Sequence, residues 1–197
     1  MANAAGPDSA AGWDDGWWRG SRRIESPNHG PRPANTVVSL ALLHSISLPP
    51  GEYGGDGVER LFTNRLDWDA HPYYQRIRGF MVSSHFFIRR DGELLQFVSC
   101  DERAWHAGQS SWLGQKDCND FSLGIELEGL EGERFEAAQY ERLTSLLEAV
   151  ALRYPIRHVA GHEHVAPGRK QDPGPGFDWA ALRDALGWPA ASFPPGV

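Results

Sequence analysis

What this sequence has little of narrows its classes before any motif is read. No apolar run approaches the ~20 residues of a membrane-spanning helix, so a membrane-spanning protein is not expected. An excess of positive charge is also missing: Lys+Arg 19 against Asp+Glu 26 leave a net charge of −7. That balance disfavours a nucleic-acid or other polyanion binder, which needs a basic surface. Cysteine is scarce; Cys100 and Cys118 could form at most one bridge. The N-terminal stretch MANAAGPDSAAGWDDGWW has neither the basic nor the apolar segment of a secretory signal. Free thiols in a reducing cytoplasm are therefore expected. No internal repeat is visible.

What is present suits one soluble domain. The 197 residues can bury a substantial core, and 41% hydrophobic with 23% charged residues is ordinary for a globular chain. Small and polar residues run to about position 12, and Trp13, Trp17 and Trp18 then open an irregular arm, 13–36, whose rings should dock on the domain. VVSLALLH, residues 37–44, reads as a buried strand ending at His44. Short helices are expected over 56–64 and 69–78. Residues 85–99 read as a hairpin about Asp91-Gly92, with both turn positions at positive φ. FSLGIELEG, residues 121–129, alternates: Phe121, Leu123, Ile125 and Leu127 share one face, with Ser122, Gly124, Glu126 and Glu128 on the other. Glu126 then points into solvent or a cleft, and solvent is the plainer reading. Residues 136–154 form an amphipathic helix with Tyr140, Leu143, Leu147, Val150 and Tyr154 at spacings of three and four, stopped by Pro155. A short strand, IRHVAGH, follows, and Asp178 caps a last helix that ends before Gly187. The order β, ββ, β, α, β, α predicts an α/β domain with a central mixed sheet flanked by helices.

The chain is organised around GHEHVAPGRKQDPGPGFDW, residues 161–179. Glycine and proline at this density mark a loop, and a loop rich in ligand-type side chains is a place for function. His162 and Asp172 are candidate ligands of a catalytic zinc, a centre that takes three protein ligands and keeps a fourth position open. The third ligand could be His44, His71, His85 or His106; His44 is favoured because strand ends in open α/β sheets border the site crevice. Two nitrogens and a carboxylate leave the metal positive, able to lower the pKa of bound water from about 15.7 to near 7. GHEHV lacks one residue of the zincin H-E-x-x-H, and His162 and His164 should face opposite sides of a strand. Lys170, beside an arginine, reads on its own as a solvated loop residue, and nothing near either cysteine suggests activation.

A set of collinear blocks adds to this reading: SPNHGPRP, HSISLPPGEYGG, LFTN, HPYY, VSSH, IRRDGELLQFV, RAWHAG, CNDFSLGIELEG and the loop itself. From about Trp17 to Trp179 the chain resembles the AmpD-type N-acetylmuramoyl-L-alanine amidases. These belong to the wider zinc amidase family, which includes phage T7-type lysozyme and peptidoglycan-recognition domains. The resemblance implies the zinc amidase fold, with His44, His162 and Asp172 as ligands of Zn2+. It implies Glu126 as the acid that activates water and Lys170 as the cation that steadies the oxyanion. Tyr73, Trp105 and Ser45 would contact substrate, with core packing the alternative for the two aromatics. The implied reaction cleaves the amide between the lactyl group of N-acetylmuramic acid and L-alanine, on 1,6-anhydro-muropeptides, in cytoplasmic peptidoglycan recycling. Indirect restraint of β-lactamase induction would follow in hosts that have an inducible enzyme. The protein is expected to be a monomer acting on a small molecule, with no nucleic-acid or membrane partner; a non-catalytic recognition module is the alternative. Residues 1–16 would be a disordered leader, 17–188 the catalytic domain and 189–197 a C-terminal tail. Ser45, Met81 and Asp117 depart from the family pattern, where an asparagine and two arginines are expected. Lys116 or Arg103 could then meet the substrate's carboxylates.

Overall fold

The computed structural model describes residues 12–196. Its frame is a six-stranded mixed sheet. The strands in chain order are β1 (Arg22–Arg23), β2 (Leu40–Ile46), β3 (Phe86–Ile88), β4 (Leu94–Gln96), β5 (Ser122–Glu128) and β6 (His158–Gly161). Their spatial order is β6-β2-β5-β3-β4-β1. All neighbours run parallel except the β3–β4 hairpin. The helices are α1 (Gly57–Phe62), α2 (Pro72–Arg76), α3 (Ala137–Arg153), α4 (His162–Val165) and α5 (Trp179–Leu186).

The two faces of the sheet differ in what covers them. Leu43, Ile125, Leu127 and Val159 face Leu143, Leu147 and Val150 of α3 with Leu182 of α5, forming the main core. Gln139, fully buried in α3, donates to Glu128 O (3.1 Å) and Ile88 O (3.3 Å), so the helix is tied to the strand ends as well as packed on them. On the opposite face, two smaller clusters stand apart. One joins Phe87, Leu95 and Phe97 to α1 and α2; the other joins Leu40, Leu42 and Ala160 to Trp112 and Phe121. The site lies on this second face.

Parallel pairing sets Glu126 opposite His44 in the register of β5 and β2. Side chains of paired residues point to the same face, so the alternation that buries Ile125 in the main core also brings Glu126 alongside His44.

Several local expectations change. The strand expected over 37–44 is β2, Leu40–Ile46: Val37 is exposed and His44 lies within the strand rather than at its end. In the β3–β4 hairpin only Gly92 has positive φ (84°); Asp91 does not share it. Gly92 N donates to Arg89 O and Arg89 N to Glu93 O, a three-residue loop closed by one left-handed glycine. Both faces of β5 are buried, as a central strand between parallel neighbours requires. The expected leader 1–16 overlaps ordered chain. Trp13–Asp14 pairs with Trp17–Trp18, and Trp13 joins the main core against Tyr154. Residues 1–11 of that leader lie outside the described residues. In the expected tail, Phe193 is buried in the same core.

Leu147 lies wholly in the main core and away from the site. Leu147→Ala should cost about 2–5 kcal/mol of stability in denaturant unfolding while leaving metal binding by the folded protein unchanged.

Candidate active site

The strand ends and the 162–172 loop meet at a cavity of ≈ 460 Å³. His162 opens α4, a single helical turn, so it does not share a strand with His164 as the alternation suggested. Glu163 N donates to Asp172 O (2.9 Å), closing the loop on itself. His162 and Asp172 are thereby held side by side. His164 turns away from the cavity, accepts from Gly161 N (3.0 Å) and sets its ring against Trp179.

His44, His162 and Asp172 converge and are all buried. His44 Nδ1 lies 3.0 Å from His162 Nδ1, and each nitrogen lies 3.1 Å from Asp172 Oδ2. The outer nitrogens of both rings are also engaged. His162 Nε2 meets Ala107 O at 3.0 Å, and a carbonyl only accepts, so the proton sits on Nε2. His44 Nε2 meets His106 Nδ1 at 2.9 Å. His106 Nε2 in turn faces Ser122 Oγ (3.4 Å), whose hydroxyl donates to Cys118 O (2.6 Å). Because that relay also ends at a carbonyl, every donor along it is oriented outward from the site. Both Nδ1 atoms are then bare.

Three lone pairs facing one another at 3.0–3.1 Å with no proton between them need a cation. Zinc with bonds of about 2.0–2.1 Å in tetrahedral geometry keeps its ligands about 3.3 Å apart, close to this triangle. The residues fit the metal. Burial lowers the pKa of His44 to about 4, outweighing the pull of Asp172, so the ring is neutral at pH 7 as a ligand must be.

His106 is not one of the three converging residues but stands behind His44. It rests against Gly124, where an added Cβ would come within 2.6 Å of the ring; the glycine on this face of β5 makes room for it. His85 accepts from Gly124 N (2.9 Å) through Nδ1 and donates to Glu102 O (3.1 Å) through Nε2, a structural role. His71 caps α2 by accepting from Tyr73 N.

Glu126 is only 8% exposed, lines the cavity, and has an Oε2 without a hydrogen-bond partner among the described residues. The reading of this residue as solvated is overturned: it is buried and shares the cavity with Trp105 and Lys170, which come from other parts of the chain. Burial, reinforced by the charge of Asp172, pushes its pKa well above the usual carboxylate range, against an opposing pull from Lys170. Lys170, exposed, is the one cationic side chain in the cavity lining. Ser45, Tyr73 and Trp105 also line it, and Ser45 Oγ is a buried atom with no partner among the described residues. Much of the rest of the lining is apolar, with Leu48, Phe62, Ile77 and Phe80 joining the two aromatics. Arg103 pairs with Asp120, and Lys116 lies on the Ser111–Trp112/Gln115–Lys116 ladder; neither lines the cavity, so neither is placed to meet a substrate carboxylate there. Both cysteines are free and buried, outside the lining.

A buried imidazole–imidazole–carboxylate triad beside an unpaired carboxyl and an exposed ammonium is the equipment of a metal-dependent amide hydrolase. Comparison makes the class specific: residues 35–175 match the family N-acetylmuramoyl-L-alanine amidase (Amidase_2), and the chain belongs to that family. It is 49% identical over 172 residues to the 1,6-anhydro-N-acetylmuramyl-L-alanine amidase AmpD of Citrobacter freundii, covering 86% of this chain and 92% of that one. A crystal structure of the selenomethionine derivative of AmpD superposes with a TM-score of 0.85 at 48% identity, covering 88% of this chain and 98% of the other. The Escherichia coli amidase AmiD, solved with the substrate anhydro-N-acetylmuramic acid-L-Ala-D-γ-Glu-L-Lys, gives a TM-score of 0.55 at 28% identity over 82% of this chain and 60% of that one.

The position of Glu126 yields a stability prediction. A carboxyl whose folded pKa exceeds its unfolded value stabilises the fold below the unfolded pKa, and that stability is lost as pH rises through the folded pKa. With the pKa raised, metal-free Glu126→Gln should be more stable than the parent at neutral pH. The gap should close on acidification to about pH 4. Urea unfolding at both pH values measures it.

Proposed function

We propose that this chain is a zinc-dependent hydrolase cleaving the amide between the lactyl group of 1,6-anhydro-N-acetylmuramic acid and L-alanine of muropeptides. The observation that carries the reading is the convergence of three bare ligand atoms beside the orphaned Glu126 carboxyl. Family membership and the close AmpD relatives give the reaction and the substrate class. His44 Nδ1, His162 Nδ1 and Asp172 Oδ2 would hold the zinc. When bound, zinc would supply Lewis acidity to the amide carbonyl and acidity to a water molecule.

The chain's own groups supply the proton traffic. Glu126, desolvated and unpaired, takes the proton of the attacking water and returns it to the leaving L-alanine amine. Its raised pKa brings those two tasks closer to balance near neutrality. Lys170 faces the negative charge that develops on the carbonyl oxygen. The apolar wall with Tyr73 and Trp105 receives the muramyl end, and Ser45 Oγ offers its free hydrogen-bonding capacity to the same ligand. The wall also excludes water from the reacting amide.

The recognition-module alternative has no observation in its favour, since every group needed for hydrolysis faces the cavity. No helix among the described residues is long and apolar enough to cross a membrane. Cytoplasmic muropeptide recycling is the setting that this branch of the family implies.

Mass-spectrometric product analysis with 1,6-anhydro-N-acetylmuramoyl-tripeptide tests the reading. Chelated protein should release no free tripeptide, and zinc should restore release. Glu126→Ala should lower kcat about 10²–10⁴-fold, and Lys170→Ala about 10²–10³-fold, both with zinc still bound. Binding of the substrate without release under any metal condition would instead identify a recognition module.

A further inference from the structure

Both candidate histidine ligands are steered by consecutive residues of one loop. His44 is held by the His106 side chain, and His162 by the carbonyl of Ala107. The backbone N–H groups of those two residues are held in turn by a single atom. Asn119 Oδ1 accepts from His106 N at 3.1 Å and from Ala107 N at 2.8 Å. Asn119 is buried, and Arg32 donates to its backbone carbonyl at 3.3 Å while also bonding Cys100 O, Asp120 O and Ser122 O. The amide oxygen therefore sits where one group fixes the direction of two histidine supports at once.

We propose that Asn119 is the positioning residue of the metal site, aligning both histidine ligands through its bifurcated acceptor bond to His106 N and Ala107 N. The inference rests on the zinc reading above and adds a residue that touches neither metal nor substrate. Its physical basis is rigidity. The Ala107 carbonyl holds His162 in its Nε2–H tautomer only while the backbone at His106 and Ala107 keeps its course, and the same two-residue segment places the ring that fixes His44. Supports of this kind typically change metal affinity by about 10–100-fold when removed. What matters is an acceptor oxygen in place; no described bond uses the Asn119 amide N–H, so aspartate can replace it.

Three variants separate this role from a general contribution to loop stability. Asn119→Ala removes the acceptor, and Asn119→Asp keeps it. Ser110→Ala removes two other bonds of the same loop, Cys118 N to Ser110 Oγ and Ser110 Oγ to Gly108 O, while leaving the Asn119 bonds to His106 N and Ala107 N in place. Zinc affinity is read by chelator competition, and imidazole tautomers by nitrogen–proton NMR on the metal-free proteins. Expected is a loss of zinc affinity of about tenfold or more in Asn119→Ala, with His44 and His162 in mixed tautomers. Asn119→Asp and Ser110→Ala should stay within about threefold of the parent, with single Nε2–H tautomers, well short of the loss a removed support brings. Parent-like affinity in Asn119→Ala, or an equal loss in Asn119→Asp or Ser110→Ala, overturns the proposal. Should Asn119→Ala fail to fold, Asn119→Asp decides alone: parent-like affinity and tautomers support the assignment and a tenfold loss refutes it. If the parent itself binds no zinc, it is the metal reading that fails.

Discussion

Three lone pairs brought within 3.1 Å of one another impose the strongest constraint in the molecule. Without a cation between them they repel, and the outer hydrogen bonds direct the Nε2–H of each neutral ring away from the triangle. Each imidazole gives up its Nε2 proton direction to a path that ends at a backbone carbonyl, Ala107 O for one and Cys118 O for the other. Much of the second face of the sheet follows from this requirement. Gly124 leaves room for a ring, Ser122 turns that ring's proton outward, and Asn119 accepts from the backbone N–H groups of the two residues that carry both supports. A site of this design is assembled before any ligand arrives, so its cost is met by the main core on the other face.

The same separation of faces explains why Glu126 can stay unpaired. A buried carboxyl without partners is expensive. Here it lies on a central strand whose opposite side chains, Ile125 and Leu127, are locked into the main core. The strand cannot rotate the acid to solvent without withdrawing those two residues from the core. Stability on one side thus maintains a costly, reactive group on the other, the pattern expected of functional positions.

Legibility in the sequence varied with how local each cause was. α3 was readable from its spacings of three and four and from Pro155, and α5 from Asp178 and Gly187, because caps and stripes act within one helix. The mixed sheet followed from the order of elements. Alternation along β5 correctly separated two faces but could not say that loops far away in sequence would bury the polar one, so Glu126 read as solvated. The helical turn at His162 was hidden because a closed loop, tied by Glu163 N to Asp172 O, overrode the strand that precedes it. Asp91-Gly92 marked its turn, yet the loop length chose a form in which only the glycine needs positive φ. The loop's own composition named His162 and Asp172 as candidate ligands and the strand end favoured His44 among four histidines, while the resemblance singled out His44 as the third. His106 and Asn119 had no local signal; their importance arises from contacts spanning 62 and 12 residues.

The proposed reactive groups have two origins. His44 and Glu126 are part of the sheet itself, whereas His162, Lys170 and Asp172 come from one short loop that closes on its own backbone. Inheritance can therefore act on the two halves separately. Sequence drift within that single segment would abolish hydrolysis while leaving the strands, the aromatic wall and the cavity in place. A hydrolase built this way is one loop removed from a receptor, and a lineage can cross that line without having to evolve a new fold.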